Sequence, residues 1–168
     1  QKIIFTIKRL IEITGLIISI LGILLFISLI SYSSTDPNFI FNENTEIKNL
    51  LGFQGSYISD LFFQSVGLIA YLIPITYFFT GVNIVINKKL FLSIQNTFFI
   101  VIYLLIGSTF FSIFYSDSFN LYINGNGGFV GNYLHEVILK DTINSYKNFI
   151  FYFFVILITL FFLISINF

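Results

Sequence analysis

The segment Gly125 to Gly131 is the part of the sequence that looks most like a chemical site. Its glycines could let a backbone loop cradle a phosphate group, as in nucleotide-binding proteins. The spacing argues against this, because Val130 stands where G-x-G-x-x-G needs its third glycine. No Lys-Ser or Lys-Thr pair follows, and no strand–helix unit is expected around the segment. The pattern therefore does not predict a nucleotide loop.

Two acidic residues, Glu12 and Asp60, lie beside long apolar stretches. An acid within a membrane span is a candidate for a proton or ion pathway. Glu12 follows Lys8 by four residues and Arg9 by three, so local ion pairing is available. Asp60 comes shortly after Ser56, where the dipole of a beginning helix would favour an anion. We favour helix-end electrostatics for both acids, with a pathway as the alternative.

Pro74 lies near the middle of an apolar stretch. Proline lacks a backbone N–H and clashes with the carbonyl four residues earlier, here that of Ala70, so a kink is expected. The kink could be a transporter gate or a static bend. Broken transporter helices usually come in pairs related by an internal repeat. No other apolar stretch has a proline, which favours the static bend.

Other site chemistry is poorly supported. The chain has one histidine and no cysteine, which argues against metal clusters and rules out disulfides. The formal net charge is zero, so there is no basic footprint for nucleic acid. We therefore expect no catalytic, cofactor or metal site. A membrane-embedded enzyme would rest only on scattered serines and aspartates.

The elements that hold these residues are apolar and long. Of 168 residues, 57% are hydrophobic and 10% are charged, against ~25% charged in soluble domains. A helix needs about 20 apolar residues to cross a bilayer. Four stretches qualify, at about 11–31, 61–86, 94–115 and 149–166. Because they are continuous rather than alternating, they predict an all-α polytopic membrane domain over 1–168, and not membrane strands.

The distribution of Lys and Arg predicts the orientation. Basic residues concentrate in the N-terminal tail and in the short link at about 87–93, whereas the long loops at about 32–60 and 116–148 hold three lysines among seven acids. Positive residues remain on the cytoplasmic side. Both termini are therefore expected in the cytoplasm and both long loops outside. The sequence starts with Gln1 and stops inside an apolar run, so we expect a longer parent chain.

Small residues predict how the spans pack, because lipid supplies no hydrophobic drive between helices. The first span carries one small-residue face, and the second carries a stripe that runs from Asp60 to Gly81. We expect a shared interface between the two, with these candidates: Gly15, Ser19, Gly22, Gly67, Ala70, Tyr71 and Pro74. Gly107, Ser108 and Ser112 form a weaker patch on the third span. The fourth span, almost all Phe, Ile and Leu, is expected to face lipid.

The second long loop contains a further helical pattern. Apolar residues recur at helical spacing, with three polar residues opposite: Phe129, Val130, Tyr133, Leu134, Val137 and Ile138 against Asn132, His135 and Glu136. This predicts a short amphipathic helix, lying either on the outer membrane face or against the bundle. His135 is then expected on a solvated face rather than as a ligand.

The order of the small motifs resembles the N-terminal four-helix membrane domain of the FtsK/SpoIIIE family of bacterial DNA translocases, the FtsK branch in particular. Three groups of residues carry the resemblance: the turn Ser33-Ser34-Thr35-Asp36-Pro37; then Asn49, Gly52, Gly55, Asp60-Leu61-Phe62, Gly67, Ala70-Tyr71 and Pro74; and finally Gly127, Gly128 and Gly131. Ser56 and Ser59 depart from the pattern, since alanines are common there in the family.

The resemblance implies a membrane anchor for an ATP-driven, hexameric DNA pump at the division septum of the bacterial inner membrane. It also implies contacts with other septal membrane proteins. No motor motif is present in this sequence, so ATP and DNA would belong to the parent chain, with no direct nucleic acid contact here. The alternative is a small transporter or channel that uses a face of Asp60, Gln64 and Pro74.

Overall fold

The computed structural model describes residues 2–37, 46–116, 121, 123–139 and 147–167, and within these ranges it contains helices and turns but no strand. The elements are α1 (Lys2–Ile30), α2 (Gly52–Val66), a 3-10 turn (Gly67–Tyr71), α3 (Leu72–Asn87), α4 (Phe91–Phe114), α5 (Gly128–Leu134) with a π-helical turn (His135–Leu139), and α6 (Lys147–Ser165).

Four helical segments are long and apolar enough to cross a membrane: Ile3–Ile30, Gly52–Asn87, Phe91–Phe114 and Lys147–Ser165. The all-α fold with four membrane-spanning segments is therefore confirmed. The first span was expected to begin at about residue 11. The helix that contains it starts earlier, because Lys2, Lys8 and Arg9 are themselves helical.

Two contacts show which ends of the helices lie together. The Lys88 ammonium, between α3 and α4, lies 2.9 Å from a Glu12 carboxylate oxygen on α1. The Asn83 amide donates to the carbonyl of Ile166, just after α6, at 3.2 Å. The first and last helices thus share one end of the bundle with the short link; we call it the termini end. The two long connections lie at the opposite end, the loop end.

Helix α2 does not continue the line of α3. The Ser28 hydroxyl donates to the carbonyl of Gly55 at 2.7 Å, and the Tyr71 hydroxyl donates to the carbonyl of Leu29 at 3.4 Å. Two positions far apart in the second segment therefore reach adjacent residues of α1. A straight helix of 36 residues would be about 54 Å long, well beyond a hydrocarbon core of ~30 Å. The segment instead turns, and α2 lies across the loop end of α1.

The turn begins before Pro74. A kink was expected where Pro74 meets the carbonyl of Ala70, and the α-helix is interrupted over Gly67–Tyr71, a stretch that includes Ala70. Pro74 lies in the first turn of α3, where backbone N–H groups have no partner within the helix. Its missing donor therefore breaks no hydrogen bond of α3. The chain changes direction at Gly67, whose φ of 72° and ψ of −150° are essentially restricted to glycine.

The apolar core lies towards the loop end and includes Leu29, Phe63, Ile69, Ala70, Ile73, Ile100 and Tyr103. Helix α6 is peripheral to it, because only Ser165 of its described residues is fully buried. Ring contacts join α6 to α4: Phe151 lies 5.2 Å from Phe110 and 5.1 Å from Phe114, centroid to centroid. The fourth span thus presents most of its surface outward.

Candidate functional site

Helices α1 and α3 pack backbone to backbone along a face that we call the glycine seam. A β-carbon on Gly15 would lie 2.7 Å from the carbonyl oxygen of Gly81, and one on Gly22 would lie 3.0 Å from that of Pro74. The Ser19 hydroxyl donates to the carbonyl of Phe78 at 3.1 Å. The structure therefore brings Gly15, Ser19 and Gly22 against the Pro74–Gly81 part of the second stripe.

The remaining residues of that stripe lie elsewhere. Ala70 is fully buried in the apolar core, and Tyr71 packs against this core and donates its hydroxyl to the carbonyl of Leu29 on α1. Gly67 does not face α1, since its nearest neighbours are Asn126 and Gly127 of the second long loop. The stripe is divided because the helix that was expected to carry it is interrupted at Gly67.

The first long loop is closed by Asp36. Its two carboxylate oxygens accept backbone N–H groups of Lys48 at 3.0 Å and of Asn49 at 2.8 Å. The Ser56 hydroxyl donates to the carbonyl of Pro37 at 2.7 Å. Asp36 is only 3% exposed, so these bonds replace most of its hydration. We call this arrangement the first clasp.

Asn49 connects the first clasp to the helices. Its side-chain amide donates to the carbonyl of Ser28 at 2.9 Å, and its amide oxygen lies so close to Gly55 that a β-carbon there would clash. The Ser59 hydroxyl donates to the carbonyl of Gly55 at 2.8 Å. Ser56 and Ser59, the two departures from the family pattern, therefore both make buried hydrogen bonds. Gly52 differs, because its φ is positive but no atom crowds it.

The second long loop docks into the break in the second segment. The carbonyl of Asn126 accepts the Leu68 N–H at 2.9 Å, and the Asn126 side chain donates to the carbonyl of Tyr115. A β-carbon on Gly128 would lie 2.6 Å from the Gly67 nitrogen. We call this arrangement the second clasp. Asn126 is fully buried, and its side-chain oxygen has no hydrogen-bond partner.

Helix α5 packs on α4 through its small and polar side. Gly127 and Gly131 lie against Ser108 and Ser112, the weaker small-residue patch of the third span. The Ser112 hydroxyl donates to the Asn132 amide oxygen at 2.8 Å and lies 3.5 Å from the His135 Nδ1. His135 is half-buried, so its expected place on a solvated face is corrected. The face is turned inward because glycines allow α5 to approach α4 closely.

The apolar side of α5 points outward. Phe129, Tyr133 and Val137 are exposed, and the rings of Phe129 and Tyr133 stack with centroids 6.3 Å apart. The side chain of Ile138, assigned to the same face from the sequence, lies outside the described residues. The expected division into two faces holds only in part, because Val130 and Leu134 are half-buried whereas Glu136 is exposed.

Asp60 is held by neutral donors. The Tyr32 hydroxyl donates to its Oδ1 at 3.2 Å and the Gln64 amide donates to the same oxygen at 3.4 Å. Asn124 in turn donates to the Gln64 side-chain oxygen at 3.2 Å, which links Asp60 to the second loop. Because α2 starts at Gly52, Asp60 lies beyond the first turn, where the helix dipole has little effect. Burial, together with the Asp60 charge, raises the pKa of Tyr32 above its usual value.

Glu12 makes two ion pairs at the termini end. Arg9 lies 2.6 Å from one of its carboxylate oxygens and Lys88 lies 2.9 Å from the other. The pair with Arg9 follows from the sequence spacing. The pair with Lys88 could not be read from the sequence, because it depends on how α1 packs against the α3–α4 link.

The contacts described above join helices and loops to one another. No group of three or more His, Cys, Asp or Glu residues within the described ranges could hold a metal ion. The sequence did not predict the roles of Asn124, Asn126 and Tyr32. These residues make polar contacts between loops and helices at the loop end. The asparagines among the Gly125–Gly131 glycines were the available signal, since Asn favours turns whose side chains bond to nearby backbone.

Comparison with known proteins identifies the family of the chain. A family model described as the 4TM region of DNA translocase FtsK/SpoIIIE matches residues 7–168. Proteins named DNA translocase FtsK are similar over 72 residues, 43% of this chain: the one from Rickettsia typhi (strain ATCC VR-144 / Wilmington) is 38% identical, and the one from Rickettsia bellii (strain RML369-C) is 36% identical.

These matches cover about a tenth of the relatives' length, 10% in each case. No solved structure matches the chain. The matched residues include the glycine seam and both clasps, and the four apolar helices agree with a multi-pass inner-membrane protein. The chain belongs to the family of the FtsK/SpoIIIE four-span membrane region, as its order of motifs indicated.

Proposed function

We propose that this chain anchors a DNA translocase in the inner membrane at the division septum, assembles there with further copies, and contacts other septal membrane proteins. The family match over residues 7–168 is the observation that carries the proposal. The relatives are named DNA translocases, and translocation of DNA is proposed here for the parent protein. The membrane domain itself would perform no catalytic step and touch no nucleic acid.

The contacts at the end of α6 support an anchoring role. The Ser165 hydroxyl lies 3.1 Å from the Thr76 hydroxyl on α3, and Asn83 holds the carbonyl of Ile166. Helix α3 is joined to α1 through the glycine seam. A pull on the C-terminal end of α6 would therefore be distributed over three helices. The Lys and Arg distribution predicts that this end lies in the cytoplasm, where a motor would work.

The outward face of α6 supports assembly. Phe149, Tyr152 and Ile156 on α6 are all exposed in the single chain. Association of copies within lipid would use such faces through side-chain packing. A hexamer is the number that the family resemblance implies.

Cysteine crosslinking tests the assembly. These 168 residues contain no cysteine, so Tyr152→Cys or Ile156→Cys introduces a single reactive site in the membrane domain of a full-length protein whose other cysteines are replaced by serine. We expect oxidation in native membranes to give disulfide-linked dimers for at least one exposed position and none for the buried control Ile73→Cys. A fluorescent fusion should concentrate at the septum. Exclusively monomeric protein, or uniform membrane fluorescence, would contradict the corresponding part of the proposal.

The break in the second segment weighs against the transporter alternative. Asp60 and Gln64 lie on α2 and Pro74 lies on α3, on opposite sides of the break. An anchor needs the hydrogen bonds of Asp60 but not its charge, so Asp60→Asn should retain assembly and septal localisation. Reconstituted wild-type protein that carries a proton or cation flux, abolished by Asp60→Asn, would revive the transporter.

A further inference from the structure

Most of the buried residues of helix α2 are small or polar, and several of its large apolar residues are exposed. Its buried positions are Gly55, Ser56, Ser59, Asp60 and Phe63. Its exposed positions include Phe53, Ile58 and Leu61. Exposed apolar side chains of this size would be unfavourable in water but suit contact with hydrocarbon. The arrangement indicates that α2 lies within the leaflet at the loop end, where it covers part of the side of α1.

A groove lies where α2 crosses α1. It has a volume of about 480 Å³ and is lined by Leu21, Leu24 and Leu25 of α1 and by Leu51, Gln54 and Ile58 of α2. Ser28 and Gly55, joined by a hydrogen bond, complete the lining. Apart from Ser28, whose hydroxyl is already bonded, Gln54 is the one polar side chain among these residues.

The depth of the groove places it in hydrocarbon. Leu24 lies twelve residues after Glu12, which corresponds to about 18 Å along the helix axis. With Glu12 near the inner edge of a core of ~30 Å, Leu24 falls in the half nearer the loop end. The groove also continues the lipid-facing side of α1, where Leu16 and Ile20 are exposed.

The size of the groove limits what can occupy it. One turn of an α-helix, about 10 Å wide and 5.4 Å long, takes up about 420 Å³. A groove of about 480 Å³ is therefore small compared with a transmembrane helix of a partner or of a second copy, which could only lie across its opening. A slender unbranched hydrocarbon chain fits both the volume and the apolar lining.

We propose that the groove between α1 and α2 binds one acyl chain of a phospholipid from the leaflet at the loop end, the outer leaflet in the predicted orientation. The leucines contact the chain, and the Gln54 amide can donate to an ester carbonyl of the same lipid. The inference does not depend on DNA translocation or septal placement, so it stands or falls separately from the proposed function.

A photoreactive lipid tests the proposal on the wild-type protein. The full-length protein would be reconstituted in phosphatidylethanolamine–phosphatidylglycerol vesicles that contain a phosphatidylethanolamine with a diazirine in one acyl chain. After illumination, mass spectrometry maps the labelled residues. We expect labelling of Leu21 to Leu25 to exceed severalfold that of Leu16 and Ile20, which face lipid without a groove. Equal labelling of the two groups would overturn the proposal.

Two variants of α2 sharpen the test. Ile58→Trp fills the groove and should lower labelling of the Leu21–Leu25 segment severalfold, whereas Leu61→Trp adds the same ring on an exposed position outside it and should change little. Circular dichroism checks that each variant is folded. Unchanged labelling in folded Ile58→Trp would contradict an acyl-chain site. So would efficient disulfide formation between two copies of Leu24→Cys, because it would show a second copy at the groove.

Discussion

The α1–α3 contact and the α4–α6 contact each join two membrane helices, but by opposite means. In the first, Gly15, Gly22 and Gly81 let backbone approach backbone, and an added β-carbon would lie 2.9 Å from the Phe78 nitrogen at Gly22. In the second, the rings of Phe151 and Phe161 meet rings of α4 at centroid distances of 5.1 to 6.2 Å. Backbone contacts tolerate no added volume, whereas ring contacts can rearrange. We therefore expect unequal sensitivity to substitution on the two sides of the bundle.

The largest effect is expected at Gly67, where conformation and close contact coincide. Gly67→Ala forces a side chain into a glycine-only conformation and against the Asn126 carbonyl, which must then leave Leu68 without its partner. The conformation alone costs about 1–3 kcal/mol, and the displaced second clasp adds to this. We expect a loss of more than about 3 kcal/mol in the free energy of unfolding, measured by titration with a denaturing detergent in micelles.

Gly52→Ala is the matched control, because Gly52 also has a positive φ but no atom within 4 Å of an added β-carbon. It should lose only about 1–2 kcal/mol, the cost of the left-handed conformation. Equal losses in both variants would mean that the second clasp adds nothing to the stability of the turn.

Gly22→Leu tests the backbone side of the comparison. The new side chain would have to enter the space between α1 and Phe78, so the helices must separate. Overpacking of this kind costs about 1–3 kcal/mol. Ile20→Leu, on the exposed side of the same helix, should be neutral in the same detergent titration. A neutral Gly22→Leu would show that the seam can open without loss.

The sequence was sufficient for the long-range features that depend on composition. The apolar runs predicted the four spans, and the small residues predicted that Gly15 to Gly22 would face the second span. It was insufficient at Gly67, because the position of the turn depends on a loop more than fifty residues later that supplies Asn126. The same reason applies to Lys88 and Tyr32. Their partners are set by packing, which periodicity along one helix does not encode.

Phe151→Leu tests the aromatic side of the comparison. Leucine keeps most of the bulk but removes ring contacts with Phe110 and Phe114. Such contacts contribute about 0.5–1.5 kcal/mol, so we expect a loss of about 1 kcal/mol, less than that of Gly22→Leu. Phe149→Leu, at an exposed position near the same end of α6, should change almost nothing. A loss at Phe151 larger than at Gly22 would reverse the proposed ranking.

The smallest effect is expected at Thr76, where the two sides of the bundle meet. Its hydroxyl lies 3.1 Å from those of Tyr103 on α4 and Ser165 on α6. Thr76→Val keeps the shape and removes the hydroxyl. Hydrogen bonds between membrane helices contribute about 0.6 kcal/mol on average, and Ser165 keeps its bond to the Phe162 carbonyl. We expect the free energy of unfolding to fall by about 0.6 kcal/mol, close to that average. Valine keeps the packing of threonine, which offsets part of the cost of leaving the Tyr103 hydroxyl without its partner.

Thr159→Val on α6 makes the matched control for this change. Its hydroxyl bonds only to the Val155 carbonyl of its own helix, at 2.8 Å, and it is exposed. The same substitution there should leave stability unchanged. A double-mutant cycle of Thr76→Val with Ser165→Ala then isolates the contact between α3 and α6. A coupling energy of zero would mean that the contact between Thr76 and Ser165 does not help to hold the last helix, and that a pull on its end would not reach the glycine seam through Thr76.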